Sequence, residues 1–599
     1  MSSADFSKVK VIDDVLATTD SVKYAVVKGA QNITPGKYTA ISNSNSSVTW
    51  NIQTPSEATI LSRRIMIRNT ISLTITGTLA ANSGDALLVN YGLTEALGPY
   101  PFQSLCNTIQ MTINNNTISQ NMRDVMFALL RFGDRRETER YNNACPAGYD
   151  SYWNYADAVG SNNSPLGAWN DSAMDESYQG RGVARILSIT GNTPNNTAAA
   201  VLKTIVLTFE TIEPLLLSPL IFSDPKYNNC GFFGIQVMNI VANVGSTNRI
   251  FRSAQRLING AATGLSVNLT SPQAFDAPQL FIQYYTRQPS DLVPARNVVP
   301  FAEYPRYLSS GQQPIPAAIP LNPPVVGTTS LAPGVLASFA SQTISLNSIP
   351  DRLIIFARKT LATQTAYDAD AFFPISRILL NFNNKAGLLS SATQWDLWRM
   401  SVESGSNATW AEFSGYTQKS QAANAQQSAV AGLLQIPTSG APLVLSMGKH
   451  IELDDVFAPG SIGQFQLQFQ VDINNFSDVA YAAGEWELVL ITQNTGVFVL
   501  ERGTSQTYTA ILSRSDVLAA SSQPGYKASD VTRMVGGQME DGYKDLQGMG
   551  LAGSGFAGSG SAGSGNAGSG NAGSGNAGSG NAGSGMAGSG RSRMSKHLC

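Results

Sequence analysis

Phe465-Gln-Leu-Gln-Phe-Gln-Val-Asp-Ile473 sets five apolar residues at a period of two with polar partners between them, the pattern of a strand with one buried and one wet face. It closes a longer stretch, Ser341 to Asn475, that reads as a relay of short buried strands joined by proline and glycine turns. Ser341-Gln-Thr-Ile-Ser-Leu-Asn-Ser-Ile-Pro350 alternates and stops at a proline. Asp351-Arg-Leu-Ile-Ile-Phe-Ala-Arg358 supplies a compact apolar run bracketed by charges. Asp370 to Asn384, Gly387-Leu-Leu-Ser390 and Glu403 to Gly415 continue the series. No catalytic grouping interrupts it, so the stretch predicts a wall of sheet.

Four segments stand in order across this region: IPDRLIIFARK (349–359), FNNKAGLLSSAT (382–393), SGSNATWAEFSG (404–415) and LDDVFAPGSIGQFQLQFQVDINN (453–475). In that order they resemble the second half of the double jelly-roll major capsid proteins of virophages, Polinton-like viruses and their relatives. Phe209-Glu-Thr-Ile-Glu-Pro-Leu-Leu-Leu-Ser-Pro219 and Asp276-Ala-Pro-Gln-Leu-Phe-Ile-Gln-Tyr-Tyr285 extend the resemblance to roughly residues 60–510. It implies an all-β fold of two tandem antiparallel jelly-roll barrels with long loops, a short helix and a disordered Gly/Ser-rich C-terminal tail. It further implies trimers that form pseudo-hexameric capsomers of an icosahedral shell around a double-stranded DNA genome. The expected partners are then the chain itself, neighbouring capsomers, and penton and minor capsid proteins. The expected location is the virion.

Composition is compatible with this. At 599 residues the chain exceeds what one hydrophobic core serves, and two folded units are the simplest expectation. Charged residues are only 13% of the chain and the net charge is −2, so no strong direct nucleic-acid binding is expected. The N-terminus offers only Lys8 and Lys10, answered by Asp5, Asp13 and Asp14. Its opening residues lack a basic and then apolar leader, which predicts synthesis in the host cytosol. The run Leu215 to Phe222 is too short and proline-broken to span a bilayer. The four cysteines, Cys106, Cys145, Cys230 and Cys599, form no C-x-x-C pair, and the first three read as buried free thiols.

Along the chain, residues 1–55 read as an N-terminal arm, 56–290 as the first jelly roll, 291–325 as a proline-rich connector, 326–525 as the second jelly roll and 526–599 as a flexible tail. Ile109, Met111 and Ile113 alternate into the turn Asn114-Asn-Asn116, a hairpin signal. Met122, Val125, Met126, Leu129 and Leu130 fall at helical spacing and predict a short helix over an end or edge of the first barrel. Residues 134–200 are polar and aperiodic and read as a long insertion between strands. Prolines from Pro289 to Pro324 remove ladder donors, which suits an extended connector outside the sheet interiors. From Leu551 to Gly590 the chain is eight x-Ala-Gly-Ser-Gly pentads, which offer little apolar area and predict a coil.

Chemistry is sparse. The two histidines are His450 and His597, so no His-rich metal site is available, no cofactor motif is present, and any triad would depend on His450 alone. Gly448-Lys449 lacks the rest of a phosphate-binding loop. Trp395, Trp398 and Trp410 cluster in the second unit, suited to core or subunit-interface packing or, less directly, to an aromatic platform for sugar or nucleotide.

The tail holds a sharper candidate. Met534-Val-Gly536-Gly537-Gln538 fits the pattern that adenovirus-type cysteine proteases cut after, and viruses of the resembled group carry such a protease. Leu551-Ala-Gly553-Ser554-Gly555 and Met586-Ala-Gly588-Ser589-Gly590 fit the sister pattern, although a Gly/Ser array produces it wherever x is aliphatic. An exposed glycine-rich strand enters a protease groove easily. The resulting expectation is a structural protein and not an enzyme, with a viral cysteine protease acting on the tail. The alternative is a carbohydrate-binding or adhesive β-sandwich protein.

Overall fold

The structure, a computed structural model, describes residues 32–512 apart from short loops and the stretches 133–143, 154–180, 221–230, 287–295, 321–327 and 422–431; beyond 512 it describes only the backbone of Gly568–Gly570 and Gly573–Asn576. Residues 1–512 and 513–599 form separate units, and the account below concerns the first.

The first barrel is built on two long strands, Met66–Leu79 and Val201–Pro214, paired antiparallel along their whole length from Met66↔Pro214 to Leu79↔Val201. Met66–Leu79 alternates between buried and half-exposed positions along its whole length, and Val201–Pro214 does so from Ile205 to Glu213, as a strand must when one face covers a core. Their sheet runs in the order Gly231–Phe232, Thr59–Ser62, Phe275–Thr286, Met66–Leu79, Val201–Pro214, Arg185–Thr190. The facing sheet has Ser42–Asn43, Ser47–Gln53, Val237–Val244, Cys106–Ile113 and Asn116–Gln120 in that order. Ile71, Leu73 and Phe209 meet Trp50, Ile109, Met111 and Ile240 between them. The predicted hairpin turns at Asn114, whose positive φ of 51° an asparagine tolerates better than most residues.

The arm expected to reach residue 55 is shorter than that. Asn32–Thr39 pairs with Phe275–Thr286, and Ser47–Gln53 is a sheet strand whose Val48, Trp50 and Ile52 are fully buried. Val-Thr-Trp-Asn-Ile alternates over only five residues, too brief a pattern to stand out from its polar neighbours.

The second barrel is likewise a pair of sheets. One holds Gly334–Ala340 and Ile344–Ser348 against Ile462–Asn475, then Ile375–Phe382 and Lys385–Leu388. Phe465, Leu467, Phe469, Val471 and Ile473 are all buried, as their alternation predicts. The other sheet holds Trp486–Glu501, Arg352–Lys359 and Leu443–Ser446. Two strands from the proline-rich segment, Arg296–Glu303 and Arg306–Ser310, join Trp486–Glu501, so this part of the expected connector belongs to the sheet. Pro300 is tolerated because Arg296–Glu303 is an edge strand.

The relay from Ser341 to Asn475 also contains two helices where strands were expected, Gln394–Glu403 and Trp410–Ser414. Each begins with a capping box, Thr393 with Asp396 and Thr409 with Glu412, a Thr-x-x-acid signal visible in the sequence. The second ends at Gly415, whose φ of 87° favours glycine.

Candidate functional site

Two features organise what this chain can do: the seam between its barrels and an aromatic flank on the second barrel. The seam begins with the sheet of Arg352–Lys359, which is buried on both faces. Leu353, Ile355 and Ala357 point into the second barrel's core, while Ile354 and Phe356, with Val444, Val489 and Ile491, join the core of the first. Phe498 continues this contact, edge-on to Phe232 at 6.2 Å. The unbroken apolar run from Leu353 to Ala357 is what such a two-sided setting requires.

Beside this apolar contact lies a buried set of ion pairs. Helix Met122–Leu129 is capped by Asn121 and presents Asp124, which accepts from Arg358 and Arg306 of the second barrel. Arg358 also pairs with Glu487 at 2.8 Å. Burial pushes the Asp124 carboxyl up, but the Arg358 and Arg306 guanidiniums outweigh it and hold the group below its ordinary range. Arg249 of the first barrel lies 3.5 Å over the Phe127 ring and donates to Asp370 at 2.7 Å. Burial pulls Arg249 down to about 10 against the opposing pull of Asp370, so it stays charged at neutral pH. Asp370 also takes Arg252 at 2.5 Å, and Asp150 joins Arg252 to Arg181. Arg131 reaches across to Ser439 at 3.1 Å and to Glu412 at 3.7 Å. Removing charges from water is costly, and here each ion meets an opposite one at close range.

The predicted insertion contributes to this seam. Cys145, Ala147, Tyr152 and Trp153 are buried, and Trp153 donates to the Tyr481 hydroxyl at 2.9 Å within the second core. The predicted helix packs its apolar face on the first barrel, as expected, and through Asp124 also ties that barrel to the second. Glu213, at the end of strand Val201–Pro214, accepts from the backbone N–H groups of Phe102 and Gln103 at 2.7 and 3.2 Å. Burial outweighs these bonds and pushes its carboxyl up to about 7. The neighbouring thiols of Cys106 and Cys145 are free and buried, and burial together with the Glu213 charge pushes both well up, so neither is a ready nucleophile.

On the flank, helix Gln394–Glu403 runs along the free edge of Leu443–Ser446, where Ser401 Oγ accepts from Val444 N at 3.0 Å. It carries Trp395 and Trp398, whose rings lie 4.7 Å apart, and Trp410 from the next helix stands 5.0 Å from Trp395. Trp398 packs partly on the core, but Trp395 is 52% and Trp410 37% exposed. His450 is structural: its Nδ1 accepts from Ser446 N at 3.2 Å, and Nε2 faces Glu403 at 3.4 Å. Among the described residues no group of three or more His, Cys, Asp or Glu side chains is placed to hold a metal ion. Every sequence-predicted processing residue, Met534, Gly536, Gly537, Gln538, Leu551, Gly553, Ser554, Gly555, Met586, Gly588, Ser589 and Gly590, lies outside the described residues, as do Cys230 and Cys599.

Comparison with known proteins meets this geometry. Residues 4–285 match the family model described as Sputnik virophage major capsid protein 1st domain, and residues 304–496 match the major capsid protein V20 C-terminal domain. The chain belongs to the virophage major capsid protein family. Capsid protein V20 of Sputnik virophage is 26% identical over 558 residues, covering 91% of this chain and 87% of V20. A chain of the Sputnik virophage cryo-EM structure superposes with a TM-score of 0.68 at 23% identity, over 88% of this chain and 98% of that one. The mavirus major capsid protein gives 0.62 at 13% identity, over 85% and 96%. These structural likenesses establish the double jelly-roll fold for this member of the capsid family, and its buried seam is the join between the two rolls.

Proposed function

We propose that the chain is the major capsid protein of an icosahedral double-stranded DNA virus, a structural protein that trimerises into pseudo-hexameric capsomers. The observation that carries this is the seam: a sheet buried on both faces and a buried ion network unite two barrels into one block. Three such blocks place six similar barrels in a ring, the geometry that lets a trimer tile a near-hexagonal lattice. Neighbouring capsomers, pentons and minor capsid proteins are then its contacts in the virion, after synthesis in the host cytosol. A net charge of −2 suits a shell that encloses a genome without condensing it. The tail from residue 526 is read as a dispensable extension, open to a viral cysteine protease at Met534–Gln538 or at the pentads beginning with Leu551 and Met586.

Light scattering and electron microscopy of the purified protein test the proposal. Trimers with a pseudo-hexagonal outline are expected. A stable monomer at micromolar concentration contradicts it.

A further inference from the structure

We propose that Asn69, Thr211 and Glu213 form a hydrated site inside the first barrel, a binding place for ordered water at one end of its longest strand pair. The capsomer reading neither requires nor supplies it. Along most of that pair the core face is apolar, with Ile67, Ile71 and Leu73 on Met66–Leu79 and Ile205, Leu207 and Phe209 on Val201–Pro214. Asn69 and Thr211 break the pattern together: they are directly opposed across the pair, and each is 1% exposed. Glu213, fully buried, follows Thr211 on the same face. Two residues of strand place it about 7 Å further along.

The polar atoms of this patch are only partly met by the protein. Among the described residues Asn69 Oδ1 and Nδ2 both lack a hydrogen-bond partner. The Thr211 hydroxyl lies near enough to Glu213 to pull its carboxyl down, yet at a geometry that leaves the hydroxyl without a full hydrogen bond. Glu213 itself is held from one side, by the N–H groups of Phe102 and Gln103 and by Gln103 Nε2 at 3.3 Å. An unmet buried donor or acceptor costs more than an average buried hydrogen bond returns, and native interiors meet such groups with protein or with ordered water.

The unmet atoms select the ligand. Asn69 presents a donor and an acceptor side by side, and the Thr211 hydroxyl can act as either. A cation has no use for the amide N–H, and an anion would stand against the Glu213 carboxylate. Water donates and accepts. It also suits a carboxyl that burial pushes up to about 7, since it can donate to the carboxylate and accept from the acid. The site lies at the root of the segment that carries Trp153 into the second core: Ile212 N, between Thr211 and Glu213, donates to the Ala144 carbonyl at 3.1 Å.

The test is a crystallographic or cryo-EM map of the full-length protein at a resolution that shows ordered water, with Asn69→Leu/Thr211→Val as the comparison. Wild type is expected to show density peaks within about 3.2 Å of the Asn69 amide and the Thr211 hydroxyl. The double variant is expected to lose them. If the variant does not fold, the wild-type map decides alone. A wild type in which the Asn69 amide bonds directly to protein atoms, with no such peak, overturns the inference. Peaks that persist unchanged in the variant also overturn it, as does a peak ringed by oxygens at about 2.3–2.6 Å, the spacing of a bound calcium ion.

Discussion

Arg358 donates to the carboxylate of Asp124 across 234 positions of sequence, one residue on the central strand of the second barrel and the other on a helix of the first. The Asp124 side chain is wholly buried and that of Arg358 nearly so, and Arg306 closes on the same carboxylate. Neither charge would be tolerated there alone. The barrels are thereby coupled by chemistry as well as by apolar contact.

Asp124→Ala leaves Arg358 and Arg306 without this carboxylate in the seam. Breaking a buried pair from one side costs about 3–5 kcal/mol, more than an exposed ion pair contributes. Denaturant unfolding of the variant is expected to show a loss of that order, with the barrels separating more readily under limited proteolysis. A loss below about 1 kcal/mol, the range of exposed pairs, would show that the seam does not depend on the ion pair.

Glu213 gives the stability a pH dependence of definite sign. Its carboxyl moves from an ordinary 4.5 up to about 7 on folding, so the fold favours the protonated form. The contribution is fully present below about 4.5 and is lost as pH rises through about 7, a span worth roughly 3 kcal/mol. Asp124 acts in the opposite sense, since its folded value is depressed: its contribution is present above the ordinary carboxylate range and lost as pH falls below it. Glu213→Gln is therefore expected to flatten the fall in melting temperature between about pH 4.5 and pH 7 while leaving the acid-side loss in place. Thermal melts across that range on both proteins make the measurement.

Phe469 is 1% exposed at the centre of strand Ile462–Asn475, whereas Gln468 lies half-buried on the opposite face. Phe469→Asp puts a carboxylate into the second core and is expected to abolish soluble trimer. Gln468→Asp is expected to yield trimer within a few degrees of the wild-type melting temperature. Equal yields of the two in the soluble fraction would contradict the register.

Tail processing is read out by intact-mass spectrometry of virion protein. The expected chain ends near Gly537, after Met534-Val-Gly-Gly. A dominant mass that includes Cys599 excludes processing, and a terminus at Ser554 or Ser589 moves it to the pentads. Met534→Asp is expected to leave the tail uncut.

Alternation is a local consequence of the pleat, so the sequence alone determined the strand Phe465 to Ile473 and the side of it that is buried. The unbroken run Leu353 to Ala357 carried a further message, because only a sheet covered on both faces needs every position apolar. The hairpin at Asn114 was legible from turn chemistry. The capping boxes at Thr393 and Thr409 were equally present, yet the surrounding strand pattern outweighed them and the helices were missed. Tertiary structure alone decided that Asp124 meets Arg358, that Trp153 enters the second core and that Trp395 faces water. A charge, an indole or a carboxylate reads the same in sequence wherever it ends up, and its partner is chosen by packing between segments that no local period connects.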